Sequence, residues 1–533
     1  MMKKNRLRPP GGGVGGVEHI GPSHRCKAVC AGQPERGAGV AAPGDRGGFA
    51  TPRGAARTQA AARGVPCGVA RRYVGGPASG ARERPSGDAG VGRPVALSRG
   101  GRTEVSSHQR SGGSANAGSG TLGYDPALLR AIAERVGTPT YVYSANLIRA
   151  QYHALHDALK DVPHRICYSV KANGNLGVLK VLKALGAGAD IVSVGELRRA
   201  LSAGFEAGTI VFSGVGKTAG ELEEAIRARV GFLNIESPAE LDALIAVARR
   251  LRQRANLGIR VNPDVATETH PYTKTGEKTA KFGVPYDEVV SVAERLVAEP
   301  LFQLRGLAMH LGSQLTDVEP YHRGTVKLLE LVTALRASGI DTVEAIDVGG
   351  GLGVRYHAER APSPQAFADA VAPPIKQAGL ALLCEPGRYL VANAGVLLTK
   401  VLYRKHAGGK EFVVVDAGMT DFVRPSHYNA HHDIVPLQDG GRAEELVNVV
   451  GPICESGDFL ALDRKLPVVA AGEYLAVLGT GAYGFVMSST YNQRPRPPEV
   501  LVEGDRYYVA RQRETLDDLL RGEVLEPTTW YRA

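Results

Sequence analysis

The chain has 533 residues and a net charge of +10, but its basic residues are unevenly distributed. Residues 1–120 contain 19 of the 64 Lys+Arg and 6 of the 54 Asp+Glu, so the rest of the chain holds 45 basic and 48 acidic residues. This nearly neutral body does not support a nucleic-acid-binding function, and the sequence has no run of about 18 apolar residues that would predict a membrane span.

The first 120 residues are rich in Gly, Arg, Ala and Pro and contain 27 of the 67 glycines. They lack periodic apolar residues and cannot bury enough surface to offset their ordering entropy, so we expect disorder. An organelle transit peptide, a loose RNA-binding segment and a non-functional extension all fit this composition, and the last is favoured. We find no apolar segment typical of a secretion signal.

The six cysteines, at positions 26, 30, 67, 167, 384 and 454, form no paired framework. Cys26 and Cys30 lack the second half of a zinc site. Unpaired thiols favour a reducing compartment, and the cytoplasm is the expected location.

From residue 121 onward, strand-like and helix-like segments alternate. A helix over Pro126–Val136 and a strand over Pro139–Tyr143 come first. Eight apolar runs predict further strands: Arg165–Ser169, Asp190–Val194, Thr209–Ser213, Phe232–Ile235, Leu257–Val261, Gly306–His310, Val343–Val348 and Leu380–Cys384. Seven segments have helical patterns: Leu176–Leu185, Gly195–Ala203, Thr218–Ala228, Pro238–Arg252, Tyr286–Ala298, Val318–Ser338 and Pro364–Gln377. Eight strands separated by helices over about 250 residues predict a (β/α)₈ barrel at 146–394.

An open doubly wound sheet is the alternative, and it would place a Gly-x-Gly-x-x-Gly turn after its first strand. Here the first strand leads into Lys171, and the cluster Gly349–Gly353 follows the seventh strand, where barrels place phosphate sites. Short strands after Asn393 predict an all-β domain, a β-sandwich or β-barrel, at 395–533 that residues 121–145 complete. These strands are Val396–Val401, Glu411–Asp416, Glu445–Val450, Glu473–Leu478 and Arg506–Ala510.

Polar residues gather at the carboxyl ends of the barrel strands, where such barrels have their active sites. A lysine at the end of a buried strand is costly unless its amine is used, although an amine that simply reaches solvent is an equal alternative for Lys171 taken alone. With its neighbours it fits a Schiff base with pyridoxal 5'-phosphate, a phosphate held by glycine N–H groups and Glu385 beside the ring nitrogen. The strand-end residues are Lys171, Glu196, Ser213, Asn262, His310, Gly349–Gly351 and Glu385–Arg388.

Four stretches resemble the alanine-racemase-fold, pyridoxal-phosphate-dependent decarboxylases: Tyr168-Ser-Val-Lys-Ala-Asn173, His310-Leu-Gly-Ser-Gln314, Asp347-Val-Gly-Gly-Gly-Leu-Gly353 and Glu385-Pro-Gly-Arg388. Three later stretches are similar to the diaminopimelate decarboxylase family: Arg424-Pro-Ser-His-Tyr428, Gly451-Pro-Ile-Cys-Glu-Ser-Gly-Asp458 and Gly481-Ala-Tyr-Gly-Phe485. The resemblance covers residues 121–533 and leaves out only the amino-terminal segment.

The resemblance implies decarboxylation of meso-2,6-diaminopimelate to L-lysine and CO₂, the last step of lysine biosynthesis. It implies proton donation by Cys454, and it implies that Cys454 and Glu455 come from the partner chain of a homodimer with shared active sites. It assigns the cofactor to Lys171, His310, Ser313, Gly350, Gly351, Glu385, Pro386, Gly387, Arg388 and Tyr483. It assigns the substrate to Arg388, Arg424, Tyr428, Glu455 and Tyr483.

The charges of these residues agree with a dicarboxylate substrate. Two guanidinium groups, of Arg388 and Arg424, suit the distal carboxylate and would repel the bare ammonium of an ornithine-like side chain. Related decarboxylases of ornithine, arginine or carboxynorspermidine remain the nearest alternative. An alanine racemase is disfavoured by Glu385, and a non-catalytic cofactor-binding protein is disfavoured by the β domain. Cys454 as an inert buried thiol is the alternative to its catalytic role.

Two further segments carry weaker signals. His427, His431 and His432 share a loop without a matched carboxylate or thiolate set, so we expect no metal. Residues 264–282, which include His270, Lys274, Gly276 and Lys281, lack periodicity and form either a lid over the cofactor or an ordinary surface loop.

Overall fold

The computed structural model describes residues 123–267, 275–277, 280–438 and 441–531. The chain divides into the units 1–106 and 107–533, and every described residue belongs to the second unit. The expected disorder of residues 1–120 lies outside the described residues, as do His270 and Lys274 of the expected lid. None of the helices in the described ranges is long and apolar enough to cross a membrane.

Three elements precede the barrel: helix α1 (Pro126–Val136), strand β1 (Thr140–Ser144) and helix α2 (Ala145–Ala158). Asp125 caps α1 by accepting a hydrogen bond from the Ala127 N–H, and Pro126 fills the first helical position, where a missing N–H costs nothing. Ser144 caps α2 in the same way through the Leu147 N–H. Local sequence therefore fixes both helix starts.

Eight parallel strands close into a barrel, which confirms the predicted (β/α)₈ class. The barrel strands are β2 (His164–Ser169), β3 (Gly188–Ile191), β4 (Ile210–Phe212), β5 (Phe232–Ile235), β6 (Ala255–Asn262), β8 (Phe302–Ala308), β9 (Ala345–Asp347) and β10 (Ala381–Cys384). The ring closes where β10 pairs with β2, with Cys384 opposite Ile166, and where β5 pairs with β6. The two-residue strand β7 (Val284–Pro285) lies outside this ring and pairs with β6.

Helices surround the barrel and connect consecutive strands. Because all strands run in the same direction, the residues that follow them reach one rim of the barrel. The helices are α3 (Leu176–Ala184), α4 (Val194–Ser202), α5 (Ala219–Ala228), α6 (Pro238–Leu251), α7 (Val289–Val297), α8 (Glu319–Ala337), α9 (Pro364–Gln377) and the short α10 (Arg388–Val391).

Two predicted strands are displaced toward the amino terminus, namely β8, which spans Phe302–Ala308 instead of Gly306–His310, and β3. The sequence predicted a strand over Asp190–Val194, but β3 ends at Ile191 and α4 begins at Val194. The reason is the cap of α4, because the Ser193 hydroxyl accepts a hydrogen bond from the Glu196 N–H and stops the strand. Asp190 therefore lies at the end of β3, on the functional rim, rather than at its start.

The remaining elements form a mixed sheet that contains β1. The elements are β11 (Gly395–Ala407), β12 (Lys410–Val415), α11 (Arg424–Tyr428), β13 (Ile434–Pro436), β14 (Glu444–Val450), β15 (Phe459–Pro467), β16 (Tyr474–Leu478), β17 (Glu499–Glu503), β18 (Arg506–Arg511) and α12 (Leu516–Leu520). The main order of the strands is β15-β14-β12-β11-β1-β17-β18, while β16 pairs with β11 and β13 pairs with β16.

Strand β1 joins distant parts of the chain in this sheet. Val142 lies opposite Val396 of antiparallel β11 on one side and opposite Val500 of parallel β17 on the other. Helix α1 covers this part of the sheet through a small core that contains Leu129 and Ile132. The sequence missed β13, β15 and β17, since β15 carries three consecutive charged residues and the other two lie beside Pro-rich or polar stretches.

Candidate active site

Lys171 lies one turn beyond the end of β2. Its Nζ is 2.6 Å from Asp190 Oδ2, and the Ser169 hydroxyl donates to the same oxygen at 2.7 Å. Burial by itself would lower the pKa of Lys171, but the carboxylates of Asp190 and Glu385 outweigh it and raise that pKa. The amine is therefore held as an ammonium ion at the barrel rim. Sequence reasoning missed Asp190, although a buried acid within an apolar run was the available signal.

Three buried carboxylates surround this amine. Burial raises the pKa of Glu385 well above its usual value, and Asp190 and Asp347 raise it further. Asp190 Oδ1 and Asp347 Oδ2 are buried without a hydrogen-bond partner among the described residues. Unmet acceptors of this kind cost free energy in the protein alone. They fit a ligand that carries an N–H donor or a positive charge, as a protonated pyridine ring does.

The glycine loop after β9 packs too closely for side chains. A Cβ on Gly350 would lie 2.1 Å from the Glu385 carbonyl oxygen, and one on Gly351 would lie 2.1 Å from the Gly312 carbonyl oxygen. The loop is therefore bound to the segments that follow β8 and β10. A cofactor approaches such a backbone without obstruction by side chains.

His310, which follows β8, is held by this loop. The Gly350 N–H donates to His310 Nδ1 at 3.1 Å, so the ring proton is on Nε2. Burial, together with the positive charges of Lys171 and Arg260, keeps the pKa of His310 well below its usual range. The imidazole is neutral and fixed in orientation, as a ring that stacks on a cofactor requires. The Gly350 N–H is used in this hydrogen bond, and the Gly349 N–H donates to Asp347 Oδ1. The N–H groups that we expect to contact the phosphate are therefore those of Gly351, Gly387 and Arg388.

Arg388 begins α10 and is buried among polar and aromatic groups. Its Nη2 donates to the Ser313 hydroxyl and its Nη1 donates to the Tyr356 hydroxyl, both at 2.9 Å. The guanidinium also lies over the Tyr483 ring at 4.8 Å. Its Nε has no partner among the described residues. Sequence reasoning identified Arg388, Ser313 and Tyr483 and missed Tyr356.

A loop of the mixed sheet covers Lys171. The Tyr483 N–H donates to the Ala172 carbonyl at 2.8 Å, and the Asn173 side chain donates to the Gly481 carbonyl at 2.9 Å. A Cβ on Gly481 would lie 1.9 Å from the Val391 carbonyl oxygen, so only glycine fits this approach. The site is therefore built from the barrel rim and the mixed sheet together.

Helix α11 supplies a second buried guanidinium. Arg424 lies over the rings of Tyr356 at 5.2 Å and Tyr428 at 5.7 Å, and its Nε donates to His432 Nε2 at 3.3 Å. Burial lowers the pKa of Arg424, and the charge of Arg388 adds to this effect. Two cations against one aromatic ring favour an anionic ligand between them.

Cys454 and Glu455 are exposed within a single chain. Asp458 shapes their loop by accepting from the N–H groups of Met419 and Ile453, each at 2.6 Å. Both the N–H and the Sγ of Cys454 contact Asn492 Oδ1, at 3.2 and 3.3 Å. Within the described part of one chain, no hydrogen bond or ion pair joins Cys454 or Glu455 to Lys171. The thiol of Cys454 is at the surface of a single chain, which contradicts the buried part of the alternative interpretation, while its catalytic role stays a prediction.

The loop that contains His431 and Asp433 forms, together with His357, a cluster of possible metal ligands that the sequence did not predict. Ligand atoms of His357, His431 and Asp433 lie within 4.8 Å of one another, so the expectation that no carboxylate accompanies these histidines is wrong. Both ring nitrogens of His431 are engaged, because Nε2 lies 2.9 Å from Asp433 and Arg464 donates to Nδ1 at 3.1 Å. A guanidinium at this position repels a cation, and the expected absence of a metal stays a prediction.

An internal described segment of the expected lid, residues 275–277, is hydrogen-bonded to residues that follow barrel strands. The Thr275 hydroxyl donates to the His310 carbonyl at 2.7 Å, and the Asn262 side chain donates to the Glu277 carbonyl at 2.9 Å. Ser213 accepts from Asn234 at 3.1 Å. The side chains of Asn262 and Ser213 are therefore engaged in hydrogen bonds within the chain. The lid function of residues 264–282 stays a prediction.

Comparison with known proteins agrees with this geometry. Residues 145–392 match the family model described as pyridoxal-dependent decarboxylase, pyridoxal binding domain. The diaminopimelate decarboxylase of Pseudomonas aeruginosa is 49% identical over 399 residues, which are 75% of this chain and 96% of that protein. That of Pseudomonas fluorescens is 50% identical over 409 residues, 76% of this chain and 98% of the relative.

Solved structures agree as well. The crystal structure of Helicobacter pylori diaminopimelate decarboxylase complexed with L-lysine has a TM-score of 0.71 and 40% identity, and the match covers 74% of this chain and 98% of that one. A lysine/ornithine decarboxylase from Vibrio vulnificus, at 21% identity and a TM-score of 0.61, shares the fold. With nearly the whole length of these relatives matched, with a lysine and a glycine loop on the barrel rim, and with one arginine from the rim beside another from the mixed sheet, this chain belongs to the diaminopimelate decarboxylase family.

Proposed function

We propose that this protein is a pyridoxal-phosphate-dependent decarboxylase that converts meso-2,6-diaminopimelate to L-lysine and CO₂. One observation carries the choice of substrate: Arg388 and Arg424, from the barrel and the mixed sheet, contact the same Tyr356 ring. This arrangement suits a carboxylate at the end of the substrate that does not react. An ornithine-like substrate presents an ammonium ion there and is repelled.

The barrel rim has the groups that the cofactor needs. Lys171 supplies the amine that attaches it, Glu385 and its buried carboxylate neighbours hold a proton near the ring nitrogen, and neutral His310 supports the ring. Gly351, Pro386, Gly387 and the backbone N–H of Arg388 would hold the cofactor phosphate. When bound, the cofactor accepts the electron pair that the departing carboxylate leaves behind.

The mixed sheet holds the rest of the substrate. Arg388 and Arg424 bind the distal carboxylate, and Tyr428 and Tyr483 add hydrogen bonds. We assign 146–394 to a cofactor-binding barrel and 121–145 with 395–533 to a β domain that completes the site. The free thiols of Cys167, Cys384 and Cys454 support the cytoplasm as the compartment.

A second copy of the chain completes the site in this proposal. The exposure of Cys454 and Glu455 on a single chain supports their insertion into the partner's site in a homodimer. There the Glu455 carboxylate binds the distal ammonium. The Cys454 thiol gives its proton to the carbon that has lost CO₂.

Product analysis tests the reaction. Purified protein with pyridoxal 5'-phosphate should release lysine and CO₂ from meso-diaminopimelate and no product from ornithine or arginine. Lys171→Ala should lose both the visible absorbance of the bound cofactor and lysine formation, whereas Lys180→Ala, an exposed lysine on α3, should keep both. Bound cofactor without lysine formation would reject the assigned substrate.

Mixing of two inactive variants tests the shared site. Subunits with Lys171→Ala and subunits with Cys454→Ala, mixed and reassociated, should recover about one quarter of wild-type activity, because random pairing of two copies rebuilds one intact site in every mixed dimer. Absence of recovery with dimers present would mean that each site is built from one chain.

A further inference from the structure

Tyr356 connects the two guanidinium groups of the site. It lies in the loop after β9 and belongs to no motif that the sequence singled out. Its hydroxyl accepts a hydrogen bond from Arg388 Nη1 at 2.9 Å. The guanidinium carbons of Arg388 and Arg424 lie 5.8 and 5.2 Å from its ring centroid. We propose that Tyr356 is a positioning residue that sets the geometry of Arg388 and Arg424 and thereby the affinity for the distal carboxylate.

The two arginines are fixed from different parts of the fold, and Tyr356 contacts both of them. Arg388 is fixed by Ser313 and Tyr356 from the barrel side, whereas Arg424 is fixed by His432 from the mixed sheet. Tyr356 also packs its ring against the edge of His432 at 4.9 Å. It therefore contacts both arginines and the support of one of them, across the boundary between barrel and sheet.

The charges explain why a tyrosine suits this position. Arg388 and Arg424 carry like charges and are both largely buried, with 7% and 6% of their surface exposed. An aromatic face attracts each guanidinium and reduces the cost of holding both at one place. Burial would raise the pKa of Tyr356, but the two guanidinium groups outweigh it and lower that pKa. The two positive charges thus favour the phenol oxygen as the acceptor for Arg388.

Loss of the hydroxyl has a specific consequence. In Tyr356→Phe the aromatic ring still contacts both guanidinium groups. Arg388 Nη1, however, loses its hydrogen-bond acceptor, and the Nε of the same side chain already has none among the described residues. The Arg388 guanidinium then keeps one hydrogen bond, to Ser313, beside its ring contacts and can rotate more freely. Recognition of a carboxylate by two guanidinium groups depends on their relative orientation. The reacting end of the substrate lies on Lys171 and is not held by Tyr356.

The inference rests on the proposed function, and the test uses ligands that separate the two ends of the substrate. Lysine keeps the distal carboxylate after the reaction, whereas cadaverine has the same two amino groups and no carboxylate. For the Tyr356→Phe holoenzyme we expect KM for meso-diaminopimelate and the lysine dissociation constant from calorimetry to rise about tenfold, the effect of one lost hydrogen bond to a charged group. The inhibition constant of cadaverine and kcat should stay within about twofold, because neither depends on the distal contact.

A matched variant shows the effect of losing a phenol elsewhere. Tyr286 donates to Glu330 at 3.1 Å on the outer helices of the barrel, so Tyr286→Phe should leave all four quantities unchanged. Unchanged KM and lysine affinity in Tyr356→Phe would overturn the inference, as would an equal loss of cadaverine and lysine binding. A wild-type protein that forms no lysine would instead reject the proposed function. Lysine binding by calorimetry would still test Tyr356 in that case.

Discussion

We expect Asp190 to control the protonation of Lys171, and Asp190→Asn tests this directly. The carboxylate accepts from Lys171 Nζ at 2.6 Å and from the Ser169 hydroxyl at 2.7 Å. Asparagine has nearly the same shape and can still accept from Ser169, but it carries no charge. The substitution therefore removes the charge of the partner and leaves the packing of β3 in place.

The size of the effect follows from the contact. A hydrogen bond to a charged group contributes about 1.5–3 kcal/mol, and about 1.4 kcal/mol corresponds to one pKa unit. The pKa of Lys171 should fall by about one to two units when this contact is lost. Because 31% of the Lys171 side chain is exposed, solvent screens part of the interaction and the lower end of this range is expected.

Cofactor capture by cofactor-depleted protein measures this pKa. Only the neutral amine attacks the aldehyde, so the rate of attachment, followed by absorbance, rises with pH until Lys171 is deprotonated. The pH profile of Asp190→Asn should lie about one unit below that of the wild type, with capture about tenfold faster at pH 7. Asp242→Asn is the control, since its pair with Arg295 at 2.5 Å lies on the surface of the barrel. Identical profiles for Asp190→Asn and wild type would refute the assigned role.

Two other substitutions test the packing of the glycine loop and the effect of a buried acid. Gly350→Ala should lower the free energy of unfolding by about 1–3 kcal/mol in urea titrations, because its Cβ would overlap the Glu385 carbonyl, whereas Gly208→Ala, with open space around it, should change little. Equal stability of these variants would contradict the close approach. Burial raises the pKa of Asp421 to about 7, so the folded state keeps a proton that the unfolded state releases near pH 4. The wild-type free energy of unfolding should therefore fall from about pH 4 to about pH 7, and Asp421→Asn should flatten this slope in thermal scans. An unchanged slope would remove Asp421 as its source.

Most of the barrel could be predicted from local sequence. Apolar runs of strand length alternate with capped helices, and that pattern needs no knowledge of neighbours in space. The displaced strand at Asp190 shows the limit of this reasoning. Ile191, Val192 and Val194 all suit a strand, and the observed end at Ile191 depends on the Ser193 cap of the next helix. Strand β15 was missed because its charged residues, which include Arg464, interrupt the apolar pattern that predicts a strand. It is an edge strand with one face in solvent, where charged side chains are tolerated.

The motif residues were also local signals. Lys171, the glycines after β9 and Glu385 each stand directly after a strand, so barrel topology alone brings them to one rim. The role of Cys454 could not be predicted from such spacing. Its loop is exposed in one chain, and its proposed site belongs to another.

The sequence by itself determined the barrel class and singled out Lys171 and the arginines as predicted site residues, because strand ends, glycine turns and charged residues are visible along the chain. The tertiary structure alone decided which side chains contact this lysine and these arginines. Asp190 meets Lys171 across two neighbouring strands, and Tyr356 meets Arg424 across the boundary between barrel and sheet. Such contacts join residues that are about 20 or more positions apart, and the closing of the barrel and the packing of the sheet against it, rather than sequence spacing, set their distances.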